Sequence, residues 1–256
     1  MKKIFFTLIA FIVAIAASAQ ERTIKVYGYD SDGNLNYAPL FISAEKVKVV
    51  FSEENHEYVD LGLRSGTLWA TCNVGASKPE EYGDYFAWGE IEPKSQYDEY
   101  KWGTYKWCEG SEFTMTKYCE FSEHGTVDNK RYLRQEDDAA TANWGGDWCM
   151  PTYDQLYELV DPSFTYTEWT TLNGVNGIKI TSYANGNSIF LPATGYRHYR
   201  ALDGAGSEIF YWSRSLAEFG SFRAHQLNFV TVSDVHNNRE RNRYYGQPIR
   251  PVRVKK

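Results

Sequence analysis

From Tyr58 onward the sequence is built of short apolar segments punctuated by glycine, and that punctuation limits what the chain can fold into. "NGVNGIKITS", "NSIFLPATGYR", "EIFYWSRS" and "FRAHQLNFVTV" each run for only a few residues before a turn-forming residue. Period-two patterning over such lengths predicts strands, and a glycine inside a helix costs about 1 kcal/mol. In the last segment Leu227 and Phe229 are expected to point to a core, with Gln226 and Asn228 facing the other way. "EYVDLGLRSGTLWATCNVGA" reads as a hairpin turning at Ser65-Gly66, and "YGDYFAWGE" as a further short strand.

Two stretches read as helix. "MPTYDQLYELVDP" carries Thr152 as a cap, Gln155 to complete a capping box, an apolar stripe of Leu156, Leu159 and Val160, and Asp161-Pro162 as a stop. In "QEDDAATANW", Glu136, Asp137 and Asp138 precede the alanines and suit the positive end of a helix dipole. Few helices, many short strands and long connections predict one α+β domain with extensive irregular loops.

The N-terminus reads differently. "MKKIFFTLIAFIVAIAASAQ" has two lysines, an apolar run of about fourteen residues and a small-residue cleavage motif at Ala17-Ser18-Ala19, the pattern of a secretory signal peptide over residues 1–19. The run is shorter than the roughly 18–20 apolar residues needed to cross a bilayer, so no transmembrane segment is expected after cleavage. The product is expected to be periplasmic, cell-surface or extracellular. Residues 20–54 contain "TIKVYGYDSDGNLNYAPLFI" and "EKVKVVFSEE", read as an N-terminal β extension turning at Asp30-Ser31-Asp32-Gly33. Residues 55–256 form the main domain.

Four cysteines in an exported chain favour disulfides, with three pairings open. Cys108 and Cys119 share a short segment with a Gly-Ser turn and are expected to pair, leaving Cys72 with Cys149. No C-x-x-C or H-x-x-x-H spacing points to zinc, and no metal or cofactor is expected.

The segments "YVDLGLRSGTLWATCNVGA", "EEYGDYFAWGE", "DDAATANWGGDWCMPTYDQLYEL", "GVNGIKITS", "NGNSIFLPATGYR", "YWSRS" and "RYYGQPIRPVR", in this order, resemble the Fibrobacter succinogenes major paralogous domain. The resemblance spans roughly Glu57 to Lys256. It implies a C-type-lectin-like fold, related also to formylglycine-generating enzymes, in secreted or surface proteins of gut-dwelling Gram-negative bacteria. In such folds the chain ends meet in one sheet. The basic terminus "RYYGQPIRPVRVKK" is therefore expected to be a closing strand near "EYVDLGL", anchored by Ile249 and Val252. Pro248 and Pro251 confine it to an edge or irregular pairing.

A chain with formal net charge -6 and scattered arginines lacks the broad basic footprint of nucleic-acid binding. Nothing after Cys149 is a cysteine, so the formylglycine-generating chemistry does not carry over. Gln247-Pro248 is followed by Ile249 and no Trp-Asn-Asp occurs, so the calcium-dependent sugar site of lectins does not carry over either. The five histidines show no metal or triad spacing, and no G-x-S-x-G elbow is present. The expected function is a secreted, non-enzymatic module that binds a glycan or protein. A structural component of the cell envelope and a divergent formylglycine-generating-type enzyme are the alternatives. The polar and aromatic stretch from Tyr211 to Gly246 supplies the expected contacts: Arg214, Phe222, Arg223, His225, Asn228, His236, Asn238, Arg239 and Arg241.

Overall fold

A computed structural model describes residues 23–29, 35–41, 56–95, 99–145, 147–231, 234–236 and 240–254. The chain divides into two units, Met1–Ser52 and Glu53–Lys256. In the first, β1 (Thr23–Tyr29) and β2 (Leu35–Phe41) pair antiparallel, from Thr23 opposite Phe41 to Tyr29 opposite Leu35. The expected signal peptide, the Asp30–Gly33 turn and "EKVKVVFSEE" lie outside the described residues.

The second unit opens with the expected hairpin of β3 (Tyr58–Asp60) and β4 (Thr67–Ala70). Its turn closes through the Gly66 amide on the Leu63 carbonyl, with Gly66 at φ 68. Phe86 of "YGDYFAWGE" makes only an isolated bridge to Gln247, so this stretch is not a strand. Next comes α1 (Ala139–Trp144), capped by Asp138, which accepts from the Thr141 amide at 3.0 Å. The carboxyl of Asp138 also accepts from the Met150 amide at 3.0 Å through both oxygens, tying the helix start to the following segment. In α2 (Tyr153–Val160) the capping box forms as expected: Thr152 accepts from the Gln155 amide, and the Gln155 side chain accepts from the Thr152 amide. The Gln155 amide group then donates to Thr67 of β4, so the cap also docks the helix.

Antiparallel strands dominate the rest. β5 (Thr165–Leu172), β6 (Val175–Ser182) and β7 (Ser188–Pro192) form one meander, and β8 (Tyr196–His198) and β9 (Ala201–Asp203) a small hairpin. β10 (Ile209–Leu216) pairs with β11 (Arg223–Thr231). The far edge of β11 takes β12 (Asp234–His236) near its end and β13 (Glu240–Asn242) near its start. The last strand, β14 (Val252–Val254), pairs with β4, placing β4 between the chain's end and β3. The closing strand is thus real, and its partner is the second strand of the hairpin, not the "EYVDLGL" strand. The class is α+β: small, mostly antiparallel sheets with two α-helices among the described residues. Among those residues no helix is long and apolar enough to cross a membrane.

The β10–β11 sheet stands between two cores. On one face Ile209, Tyr211, Leu227 and Phe229 join Leu156, Leu159, Ile178 and Val252. On the other, Trp212, Leu216 and Ala224 join Phe86, Trp88, Met150 and Ile249. Gln226 and Asn228 do face away from Leu227, yet they are buried as well because that side is also covered.

All four cysteines are free thiols, which corrects both expected disulfides. Val252 pairs with Cys149 on one edge and with Trp69 on the other, so β14 separates Cys149 from the strand that leads to Cys72. Two strand spacings, about 10 Å, exceed the roughly 4.4–6.8 Å between α-carbons that a disulfide spans. The Cys108 thiol donates to the Trp102 carbonyl and the Cys119 thiol to that of Phe121, so each is committed to a different partner.

The two caps allow a graded test. Thr152→Ala is expected to lower unfolding free energy by about 1 kcal/mol, the usual worth of such a cap. Asp138→Ala should cost about 1–3 kcal/mol more, because it also strands the buried Met150 amide. Urea denaturation of the two variants checks the order, and equal losses would contradict it.

Candidate functional site

The expected contacts that lie among the described residues do not share one face. Along β11 successive side chains alternate, so Arg223 and His225 lie on the face opposite Asn228. His225 is buried and stacked on Tyr153 with ring centroids 4.4 Å apart. Burial lowers its pKa, so it is neutral at pH 7 and not a cationic contact. Asn228 is 1% exposed, out of a ligand's reach. Phe222 packs edge-on to His124, and the exposed Arg223 lies over the Phe222 ring. Arg241 is held over the rings of Tyr196, Phe210 and Tyr245 at 4.4–5.0 Å, a packing role. Arg214 is half-buried, one terminal nitrogen donating to the Leu133 carbonyl. His236 stands opposite Asn228 in β12, while Asn238 and Arg239 lie outside the described residues.

A different set of side chains surrounds a cavity of 410 Å³, lined by Asp84, Tyr85, Lys94, Arg197, Tyr199 and Arg200 among others. Its size falls within the 300–1,000 Å³ or so typical of small-molecule sites. The β8–β9 hairpin supplies one wall. Its turn is made by Tyr199, which adopts the left-handed conformation at φ 51, unusual for a residue with a bulky side chain. Tyr199 is tied there by two backbone hydrogen bonds with Tyr100, each 3.0 Å, and its ring is 51% exposed. Such strain persists only where surrounding structure holds it, and it concentrates at ligand sites.

The opposite wall is rigid and aromatic. The Tyr85 hydroxyl donates to the Thr194 carbonyl and the Tyr100 hydroxyl to the Tyr85 carbonyl. Burial pushes the Tyr100 hydroxyl up to about 12 and Tyr85 higher still, so both stay protonated donors. Gly246 is required behind this wall, since a Cβ there would meet the Tyr100 ring at 2.5 Å. The backing continues with His198 stacked on Tyr245 at 4.6 Å and Tyr244 stacked on Tyr245 at 4.6 Å. The stretch "RYYG" thus supports the cavity from behind.

Charges in the cavity are unevenly matched. Lys94 pairs with Glu90 at 2.7 Å, and Arg200 with Glu99 at 3.4 Å. Arg197 rests over the Tyr85 ring at 5.2 Å and has no ion pair among the described residues. Asp84, at the rim, has its carboxyl pKa raised by burial. A carboxylate, a guanidinium with no ion pair among the described residues and an exposed tyrosine suit a ligand rich in hydroxyls with one apolar face. Binding that uses ionised Asp84 as an acceptor is expected to weaken as pH falls through its raised pKa, earlier than for an ordinary carboxylate. A titration of affinity between pH 4 and 8 checks this, and Asp84→Asn should flatten the profile.

Cys149 sits in the wrong setting for a nucleophile. Burial, and next the nearby Asp138, raise its pKa and keep it a thiol, whereas reactive cysteines are low-pKa thiolates.

Sequence reading missed the cavity because its walls come from segments about a hundred positions apart, residues 83–100 and 197–200, brought together by long-range contacts such as the Tyr100–Tyr199 bridge. One signal was present: "YRHYR", Tyr196 to Arg200, concentrates tyrosine and arginine beside a glycine turn. No protein-family model, curated protein or solved structure matches the chain.

Proposed function

We propose that this protein is an exported recognition module that binds a glycan in the cavity between Tyr199, Arg197 and Asp84, without turning it over. The observation that carries the reading is the strained, half-exposed Tyr199 lining one cavity, of monosaccharide scale, with an arginine that has no ion pair among the described residues. The secretory leader pattern and the resemblance to the Fibrobacter succinogenes major paralogous domain, with its implied C-type-lectin-like fold, support the same reading. The test is binding of the purified protein to an array of host and bacterial oligosaccharides and extracellular proteins. Saturable binding of an oligosaccharide, competed by the free sugar, supports it. Capture of proteins alone, with silence toward every sugar, would overturn it.

A second reading, a structural component of the envelope, draws on β1–β2. A two-stranded sheet presents strand edges that can recruit a further strand from a partner. Deleting residues 21–54 separates the two: loss of assembly with sugar binding intact favours the envelope role.

A further inference from the structure

A second cavity, of 540 Å³, is formed by the segment from Asn129 to Glu136 and closed by Arg214. We infer that it binds a tetrahedral oxyanion, a phosphate or sulfate group, either free or carried as a monoester.

The segment is held firmly. The Leu133 amide donates to the Arg214 carbonyl at 3.0 Å and the Leu216 amide to that of Arg131 at 2.7 Å, so residues 131–133 run along the end of β10. Leu133 is buried in the second core, and the Arg134 amide donates to the Tyr118 hydroxyl at 3.0 Å. The cavity is therefore a fixed concavity, not the space under a loose loop.

Its charge is opposite to that of the whole chain. Lys130, Arg131, Arg134 and Arg214 line it with one carboxylate, Glu136, in a chain of formal net charge -6. Two of the cations are committed, Lys130 to Asp128 at 2.8 Å and Arg131 to Glu120 at 3.3 Å. Arg134 is exposed and has no ion pair among the described residues. Glu136 is drawn toward Lys117 at 3.6 Å.

Arg214 is the informative residue. One terminal nitrogen donates to the Leu133 carbonyl, while Nε is buried with no hydrogen-bond partner. Nε therefore faces the protein interior, and the outer part of the guanidinium borders the cavity. Asp138 lies near enough to interact with Arg214, but it accepts from the Thr141 and Met150 amides. The Cys149 sulfur accepts from Arg214 on the interior side, as a neutral thiol. An oxyanion in the cavity accepts from the part of the Arg214 guanidinium that lines it, and Arg134 supplies a second planar fork of donors for phosphate or sulfate.

The site is separate from the Tyr199 cavity, and its test does not depend on the sugar reading. Calorimetric titration of the purified protein at low ionic strength would use inorganic phosphate, inorganic sulfate, glucose 6-phosphate and N-acetylglucosamine 6-sulfate. One saturable site for at least one of these is expected. A stronger response to an ester than to its free ion assigns the group to a carbohydrate, and the reverse assigns it to the free ion. Arg134→Ala, at an exposed position, should weaken binding at least tenfold with no change in melting temperature. Arg214→Lys, which keeps the charge and loses the fork, should also weaken it. No saturable binding of any of the four, or wild-type affinity in Arg134→Ala, overturns the inference.

Discussion

Replacing Arg243 by alanine is expected to remove a large share of the protein's stability. This side chain is fully buried, and its guanidinium donates from Nε to the Tyr105 hydroxyl at 2.8 Å. Nη1 donates to the Ser221 carbonyl at 2.7 Å and the Tyr118 carbonyl at 3.1 Å, and Nη2 to the Lys117 carbonyl at 3.0 Å. The group also stacks on Trp88 at 4.7 Å. Alanine would leave three carbonyls and a hydroxyl without their donor, beside an empty volume the size of the lost side chain. Each hydrogen bond to a charged group is worth about 1.5–3 kcal/mol, and the cavity adds to that. A loss of about 3 kcal/mol or more is a large share of the 5–15 kcal/mol or so that holds a domain folded. Lysine should rescue little, because a single ammonium cannot reach acceptors arranged for a planar fork. Urea denaturation followed by tryptophan fluorescence measures the effect. A variant within about 1 kcal/mol of the wild type would show that the network does not carry the load assigned to it.

The second large effect is on binding. Arg197→Ala together with Tyr199→Ala should reduce affinity for the recognised glycan by at least tenfold, while unfolding free energy changes little. Arg197 has a ring contact and no ion pair among the described residues, so its removal leaves no described carboxylate unpaired. Tyr199 projects an exposed ring from a strained backbone, so its truncation gives up stacking area and little core packing. A change of Tyr199 to glycine should relieve the left-handed backbone and even stabilise the fold slightly, while still abolishing the stacking surface. Stability and binding moving in opposite directions is the signature of a position held for function. Affinity and melting temperature measured on the same preparations check it. Retained affinity in the double variant would place the ligand elsewhere.

What the sequence made legible depended on how local the physics is. The second helix and its capping box follow from Thr152, Gln155 and Leu156, which are within five residues of each other, and the structure forms them as read. The β3–β4 hairpin is equally local, turning at Gly66. The basic terminus was read correctly as a closing strand from Ile249 and Val252, yet its arginines carry more than the sequence could reveal. Arg250 is buried, donating to Asn73 at 2.7 Å and to the carbonyls of Ala70 and Thr71, partners some 180 positions away in the chain. Burial lowers its pKa, the cost of sequestering a guanidinium among neutral acceptors. Arg243 is the same case. An arginine-rich tail that looks suited to a surface is in large part internal scaffolding.

The candidate contacts failed for a related reason. Composition picked out polar and aromatic residues between Tyr211 and Gly246, but strand alternation sends half of them to each side of a sheet covered on both faces. The cysteine pairing failed because adjacency in sequence and an even count do not report which strand lies between two thiols. The left-handed Tyr199 could not be seen at all, since its conformation is imposed by pairing with Tyr100, ninety-nine positions earlier.

The most direct test of glycan recognition is to titrate the isotope-labelled protein with the best oligosaccharide from the array and follow backbone amide resonances. Binding in the proposed cavity predicts shifts concentrated at Gly83 to Tyr85, Lys94, Ser95 and Arg197 to Arg200, with the β11 amides unmoved. Shifts centred on Phe222 to His225, or no saturable shift with any oligosaccharide, would contradict it.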